Sequence, residues 1–447
     1  MSQPQSLRAA REEHRPGHAL PRAFALDPAI YAYELESIWR HSWLYAGAGA
    51  QAPDPGDFFS FQLGDDWILI VRGETGELHA LHNSCRHRGT LICSSHSGRV
   101  RRWVCPYHQW SYGLDGSLLG SGGMDDELEG DDYGLHRAAV AELGGLVFVW
   151  PGPDPEPLGG AAAQLAAALA PHGLDRAKLA HQLDYEVAAN WKLVWENNRE
   201  CWHCTVGHPQ YVQANFDAAP DTARVRSLAS ARAEDHARAL MKAGGQDRSA
   251  PGAIEHPEPG LFRFPTPGRW WSCNRTPLAP GFVTESLDGA PVAPTMGDFR
   301  ERDVGTLRIR TVPNFWAHAS SDHAVLTRLV PAGPERTLVR IQWLVDRDAV
   351  EDRDYALEQL LPFWRRTSEQ DWELCERNHA GVRSPAFTPG PYSRKREYNV
   401  IAFVQWYLDR LDASARAGGV PEDRQVGEPF DRRAVIGVDG TTGKRRS

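Results

Sequence analysis

Two short stretches combine soft and nitrogenous metal ligands: Cys85-Arg86-His87, a C-x-H, and Cys105-Pro106-Tyr107-His108, a C-x-x-H, with 17 residues between them. Each offers one thiolate and one imidazole. A [2Fe–2S] cluster with two cysteines on one iron and two histidines on the other needs that distribution, because each loop must then supply one ligand to each iron. Structural zinc sites instead pair like with like, as C-x2–4-C and H-x3–5-H. The spacing therefore points to a Rieske-type cluster, whose neutral imidazoles raise the reduction potential by several hundred millivolts over an all-cysteine cluster. Gly89, Pro106 and Gly113 allow tight loops, and Trp110 and Tyr112 are placed to wall the cluster from water.

A second group lies in NWKLVWENNRECWHCTVGHPQY, which carries Glu200, His203 and His208. Glu200 and His203 are three apart and share a helix face. The five-residue step to His208 does not return to that face, so the helix must bulge or end, and Gly207 with Pro209 supplies the break. Two converging imidazoles call for a third, anionic ligand to form a facial triad with open positions on ferrous iron. Asp371, set among Phe363, Trp364, Trp372 and Leu374 in a helical segment, is the leading candidate, with Glu369, Glu373 and Glu376 as rivals.

The elements that position these residues follow from texture. Asp27 and Pro28 read as the N-cap and first residue of a docking helix in the segment before residue 42. From 42 to 152, short alternating runs (FFSFQL, WILIVR, GLVFVW) punctuated by Gly, Asp and Pro describe a small all-β domain with the cluster motifs on its loops. PGPDPEP and an Ala-rich helical stretch make 153–185 a linker. Residues 186–447 mix helical patterns at 191–207 and 351–378 with strand-like runs at 306–316, 323–330 and 337–345, an α+β composition. Roughly 220–300, rich in Gly, Pro, Asp and Arg, reads as loops or a lid over a site.

The chain has 447 residues, 41% hydrophobic and 24% charged, with a net charge of −9. That balance argues against nucleic-acid binding, which needs a basic face. No run approaches the ~18 apolar residues of a membrane span, and the first twenty residues hold no apolar core of a signal. A cytoplasmic protein is expected. Seven cysteines, two interleaved with histidine, suggest metal chemistry in a reducing compartment rather than disulfides; Cys93, Cys201, Cys204, Cys273 and Cys375 read as small buried hydrophobes.

With both constellations in place, nearly the whole chain resembles the oxygenase component, or α subunit, of Rieske non-haem iron oxygenases. The likeness rests on CRHRG, CPYHQWSYGLDG, the acid-x-x-H-x-x-x-x-H of Glu200, His203 and His208, and the late Asp371. It implies an all-β Rieske domain joined to a helix-grip (START-like) catalytic domain holding mononuclear Fe(2+). It also implies a homotrimer in which Glu200 bridges the iron site to His108 of a neighbouring copy. NWKLVWENNRECWHC, LPFWRRTSEQDWELCERN and SPAFTPGPYS with REYNVIAFVQWY resemble the branch acting on quaternary ammonium compounds, glycine betaine above all. Proline betaine, carnitine and choline oxygenases are near relatives. That likeness implies N-methyl hydroxylation with formaldehyde release. No G-x-G-x-x-G fingerprint is present, so electrons should come from a separate flavin/[2Fe–2S] reductase using NAD(P)H. Among 16 tryptophans, Trp202, Trp270, Trp271 and Trp316 are candidates for a cage around a small cationic substrate. Trp202 and His379 depart from the branch's usual tyrosine and glutamine. The alternatives are an aromatic ring-hydroxylating dioxygenase on the same two sites and, outside enzymes, a Rieske electron carrier or redox sensor.

Overall fold

In the computed structural model, residues 3–128, 133–216, 219, 222–242 and 270–416 are described. Asp27 caps the Pro28–Glu34 helix as its sequence suggests, its carboxylate accepting from Ala29 N at 2.7 Å and Ile30 N at 3.3 Å. The helix then widens into a π turn over Leu35–Trp39. Its inner face is pinned to the far part of the chain through buried Glu34, which accepts from Lys192 Nζ at 2.6 Å and Trp191 Nε1 at 2.8 Å. Ion pairing and full hydrogen bonding make that burial of charge tolerable.

Alternating apolar runs form a seven-stranded antiparallel sheet in the order Leu44–Ala48, Leu146–Trp150, Arg137–Leu143, Leu78–His82, Asp66–Arg72, Asp57–Leu63, Ser97–Arg99. A small sheet of Trp103–Val104, Ser111–Tyr112 and Leu118–Gly120 carries the second cluster loop. The Ala-rich stretch is a helix, Gly160–Leu169, with Ala161, Leu165 and Leu169 buried.

A second, six-stranded antiparallel sheet follows the order Ala177–Val187, Thr337–Asp346, Ala324–Pro331, Phe315–Ala319, Thr306–Thr311, Trp271–Thr276. Its first strand starts inside the stretch expected to be linker; this long strand pairs along its whole length with Thr337–Asp346. The period of two gives this sheet two different faces. Leu307, Ile309, Phe315 and Leu326 pack on Tyr45, Phe148 and Trp150 of the first sheet, so the two parts share one apolar core. Trp316, Val325, Leu329, Ile341 and Trp343 face the other way, toward the helices that hold the histidines and Asp371.

Two expectations need correction. The 220–300 stretch is not all loop, since Ala223–Lys242 is a helix and Trp271–Thr276 an edge strand of the second sheet; the part from 243 to 269 lies outside the described residues. The helical pattern at 191–207 breaks early, with Trp191–Asn198 ending before Glu200 and Cys204–Gly207 forming a separate turn. The second break, between Gly207 and Pro209, falls where expected, and Pro209–Ala214 follows.

Candidate metal centres

The first centre is made by two loops that fold back onto themselves. Gly89 N bonds Cys85 O at 2.8 Å and Gln109 N bonds Cys105 O at 3.1 Å, so each cysteine begins a tight turn that presents the following histidine. Gly122, at φ +65°, lies so close that a Cβ there would meet the His108 carbonyl oxygen at 2.5 Å, which explains a glycine beside the loop. Cys85 and Cys105 are buried and free of disulfides. The His87 and His108 rings lie 4.7 Å apart, and Trp110 stacks on His87 at 5.0 Å. Tyr112 walls the other side, its hydroxyl 3.2 Å from Cys85 Sγ while accepting from Arg86 N at 3.2 Å. Among the described residues, the Nδ1 atoms of both histidines are buried and have no hydrogen-bond partner. Native interiors rarely leave such atoms orphaned. Two orphaned imidazole nitrogens beside two buried thiols are the donor set of a two-histidine, two-cysteine [2Fe–2S] cluster, so the residues present fit that group.

The second centre joins three segments. His203 heads the Cys204–Gly207 turn, His208 precedes Pro209, and Asp371 comes from the middle of the long Pro362–Val382 helix. Asp371 Oδ1 lies 2.8 Å from His208 Nε2 and 3.3 Å from His203 Nε2. On the other side of each ring, Nδ1 is held by an acceptor: His208 by Gln370 Oε1 at 2.9 Å, His203 by Glu200. Gln370 is itself fixed by Gln210 Nε2 at 2.9 Å. Metal-binding histidines are oriented in this way, with Nδ1–H donated outward and Nε2 turned to the metal. Two Nε2 atoms and one carboxylate oxygen converging at one point fit a 2-His-1-carboxylate iron site.

Electrostatics agree with that convergence. Burial alone would lower the His203 pKa, but hydrogen bonds donated to Asp371 and Glu200 outweigh it and lift it to about 10. Burial would raise Asp371, and its bonds to the two histidines hold it below the usual carboxylate range instead.

The rival acids separate from the site. Glu369 accepts from the Tyr185 hydroxyl at 3.4 Å, Glu376 from Ala188 N at 3.0 Å, and Glu373 pairs with exposed Arg377. His379 stands at the end of the same helix, where Nε2 meets Glu335 at 3.3 Å and Nδ1 faces Asn190 N at 3.4 Å; it fastens the helix and does not reach the triad.

Of the four tryptophan candidates, only Trp316 is on the iron side, 6.4 Å from Trp372 and 5.7 Å from Trp195. Trp202 is 51% exposed, with Arg396 5.0 Å above its ring, because the loop before His203 turns it outward. Trp271 belongs to the core shared with the first sheet and Trp270 packs on Phe148, since that edge strand begins on the sheet's other side. The expectation that no cysteines pair is also corrected: Cys201 and Cys204 form a disulfide, brought within a 5.0 Å Cα separation by the turn around His203. Cys204 lies close to both imidazoles, but its sulfur in that bond is no thiolate donor. Gln370, Gln210 and Asn197, whose Nδ2 is 3.5 Å from His203 Nε2, were not singled out from sequence. Adjacency to Asp371 and His208 was the available signal for the two glutamines.

Comparison with known proteins covers both centres. A family described as the ring hydroxylating alpha subunit (catalytic domain) matches residues 174–413, and the Rieske [2Fe-2S] domain matches residues 42–126. The glycine betaine monooxygenase oxygenase subunit of Chromohalobacter salexigens is 40% identical over 409 residues, covering 89% of this chain and 88% of that one. The subunit of the same name from Pseudomonas aeruginosa is 36% identical over 397 residues, covering 88% and 89%. In fold, the chain resembles the crystal structure of the quaternary ammonium Rieske monooxygenase CntA bound to L-carnitine, with a TM-score of 0.63 at 20% identity, covering 88% of this chain and 95% of that one. An all-β domain with cluster loops, a helix-covered antiparallel sheet with a facial triad, and these sequence matches place the chain in the Rieske non-haem iron oxygenase family, as an α subunit that works with O2 and a separate reductase.

Proposed function

We propose that this oxygenase hydroxylates an N-methyl carbon of a small quaternary ammonium substrate, glycine betaine first. The observation that carries the substrate is the 40% identity, over nine-tenths of both chains, with a relative bearing that name. The reaction consumes one C–H bond, O2, two electrons and two protons, and yields an N-hydroxymethyl group and water. The hydroxymethyl carbon then leaves as formaldehyde, with loss of a proton, and the tertiary amine remains.

Cys85 and Cys105 would hold one iron of the cluster and His87 and His108 the other; His203, His208 and Asp371 would hold the single ferrous iron. When bound, these groups supply one-electron transfer and O2 activation respectively. The chain's own residues set the stage. Gln370 and Glu200 fix the tautomer and direction of the two imidazoles, and Asp371 gives the site its negative charge. Trp316 packs against Trp195 and against Trp372, the residue after Asp371, and aromatic faces of this kind suit a cation. In a ring-shaped trimer, Glu200 would link His203 to His108 of the partner subunit, so that electrons cross between copies. A flavin/[2Fe–2S] reductase in the cytoplasm would supply them.

Formaldehyde release from glycine betaine, proline betaine, carnitine and choline, with a surrogate reductase, tests the proposal. Release from glycine betaine above the other three is expected. No formaldehyde from any of them overturns the quaternary ammonium assignment.

A further inference from the structure

Beside Glu200 and His203 lies a half-open cavity of about 360 Å³, lined on its polar side by Lys192, Glu196, Asn197, Glu200, His203 and Tyr392. At about 30 Å³ of liquid per molecule, it has room for on the order of ten waters. Glu196 sits in its wall, four residues before Glu200 on the Trp191–Asn198 helix. Its carboxylate accepts a hydrogen bond from the Tyr392 hydroxyl, at 3.1 Å to Oε2.

The neighbouring charges leave this carboxyl unusually placed. Lys192, one turn earlier, is committed to Glu34 at 2.6 Å. Glu397, across the cavity, accepts from Ser393 N at 2.6 Å and repels a second negative charge. Cys375, from the long helix, has its thiol pushed up by burial, so it contributes no charge. Glu200 is occupied by His203 Nδ1 and Trp202 N. Burial raises the Glu196 pKa, Tyr392 and Lys192 pull it down, Glu397 raises it, and the outcome is about 7. Glu196 can therefore hold or release a proton near neutrality while lining the same cavity as Glu200.

The oxygenase reaction needs two protons delivered with two electrons to a centre where His208 is buried and the His203 and Asp371 side chains are 20% and 19% exposed. We infer that Glu196 is a proton-relay residue, passing protons from solvent through the cavity to the iron site beside His203, where they leave in the water that the reaction forms. Each transfer moves one proton from the Glu196 carboxyl to cavity water, and solvent returns one to the carboxylate, so the residue is unchanged over a turnover. The inference rests on the oxygen chemistry of the proposed function, not on which amine is the substrate.

The test compares wild type with Glu196→Gln, Glu196→Asp and Tyr392→Phe as full holoenzymes, with infrared spectra of each metal-free protein. In wild type a buried carboxylic acid C=O band should titrate near neutral pH and be missing from Glu196→Gln. Because the relay acts as a donor when protonated, turnover should fall as pH rises through that titration. Glu196→Gln should lose about a hundredfold in rate, the low end for a positioned proton donor, and lose that alkaline limb. Glu196→Asp should recover part of the rate. Tyr392→Phe removes the bond that favours the carboxylate, so the limb should move to higher pH; it decides the matter if the glutamine variant fails to load iron. A glutamine variant with wild-type rate and pH profile, an unmoved limb in Tyr392→Phe, or no such band in wild type overturns the relay. The band is read without substrate, so a wrong substrate assignment leaves this result standing.

Discussion

In the cluster loops, His87 and His108 keep their Nδ1 atoms buried and unpartnered, whereas His203 and His208 have Nδ1 bonded outward and Nε2 turned onto one Asp371 oxygen. In the first pocket the described residues supply no partner for these nitrogens. Each orphaned buried nitrogen costs about 1–3 kcal/mol until something binds it. The iron pocket closes its own hydrogen bonds, with the carboxylate standing between two imidazoles. A bound group that completes unsatisfied donors contributes to folding, while one that replaces existing bonds contributes much less. The cluster should therefore be part of what holds its domain together, and the iron should be removable.

That contrast can be broken in three places. The largest effect is expected from Cys105→Ser, which should abolish the cluster's visible and paramagnetic signals and loosen the 85–113 loops, read as faster amide exchange there. Chelating the mononuclear iron should leave exchange in the 203–208 and 371 segments nearly as slow as before. If both centres loosen alike, the contrast is wrong. Next, Asp371→Ala should empty the iron site and stop product formation while the cluster signals persist, because the aspartate comes from the Pro362–Val382 helix and the cluster motifs from loops of the first domain; iron analysis beside the spectrum checks it. The smallest effect is expected from Gln370→Leu, which frees the His208 ring without removing a ligand. Loss of such an outer hydrogen bond costs about 10–100-fold in metal affinity, measured as iron retained against a competing chelator.

Much of this is legible in the amino-acid sequence. The proposed cluster ligands sit in two turns whose shape depends on neighbours a few residues away, which is why short spacing suggests them. Asp27 and Pro28 announced a helix start, and Gly207 with Pro209 a helix break, for the same local reason. The strands at 306–311, 324–331 and 337–346 showed in their alternation. What failed was local in appearance but decided elsewhere. The Ala223–Lys242 helix is rich in Arg and Ala and has a weak apolar stripe, so its Arg-rich sequence read as loop. Trp202 adjoins a ligand in sequence yet points outward, since the backbone between Asn198 and Cys204 leaves the helix.

The sequence by itself determined which side chains can ligate metal and the chemistry of the cluster, because ligand type and short spacing are local properties. Only the tertiary structure decided that Asp371, and not Glu369, Glu373 or Glu376, meets the histidines. Four acids on one helix differ by direction alone, and that direction is set by how the helix packs across the sheet and the 191–214 segment. The same packing leaves the half-open cavity that both Glu196 and Glu200 line, four residues apart in the chain, with Tyr392 and the N-terminal segment in its other walls.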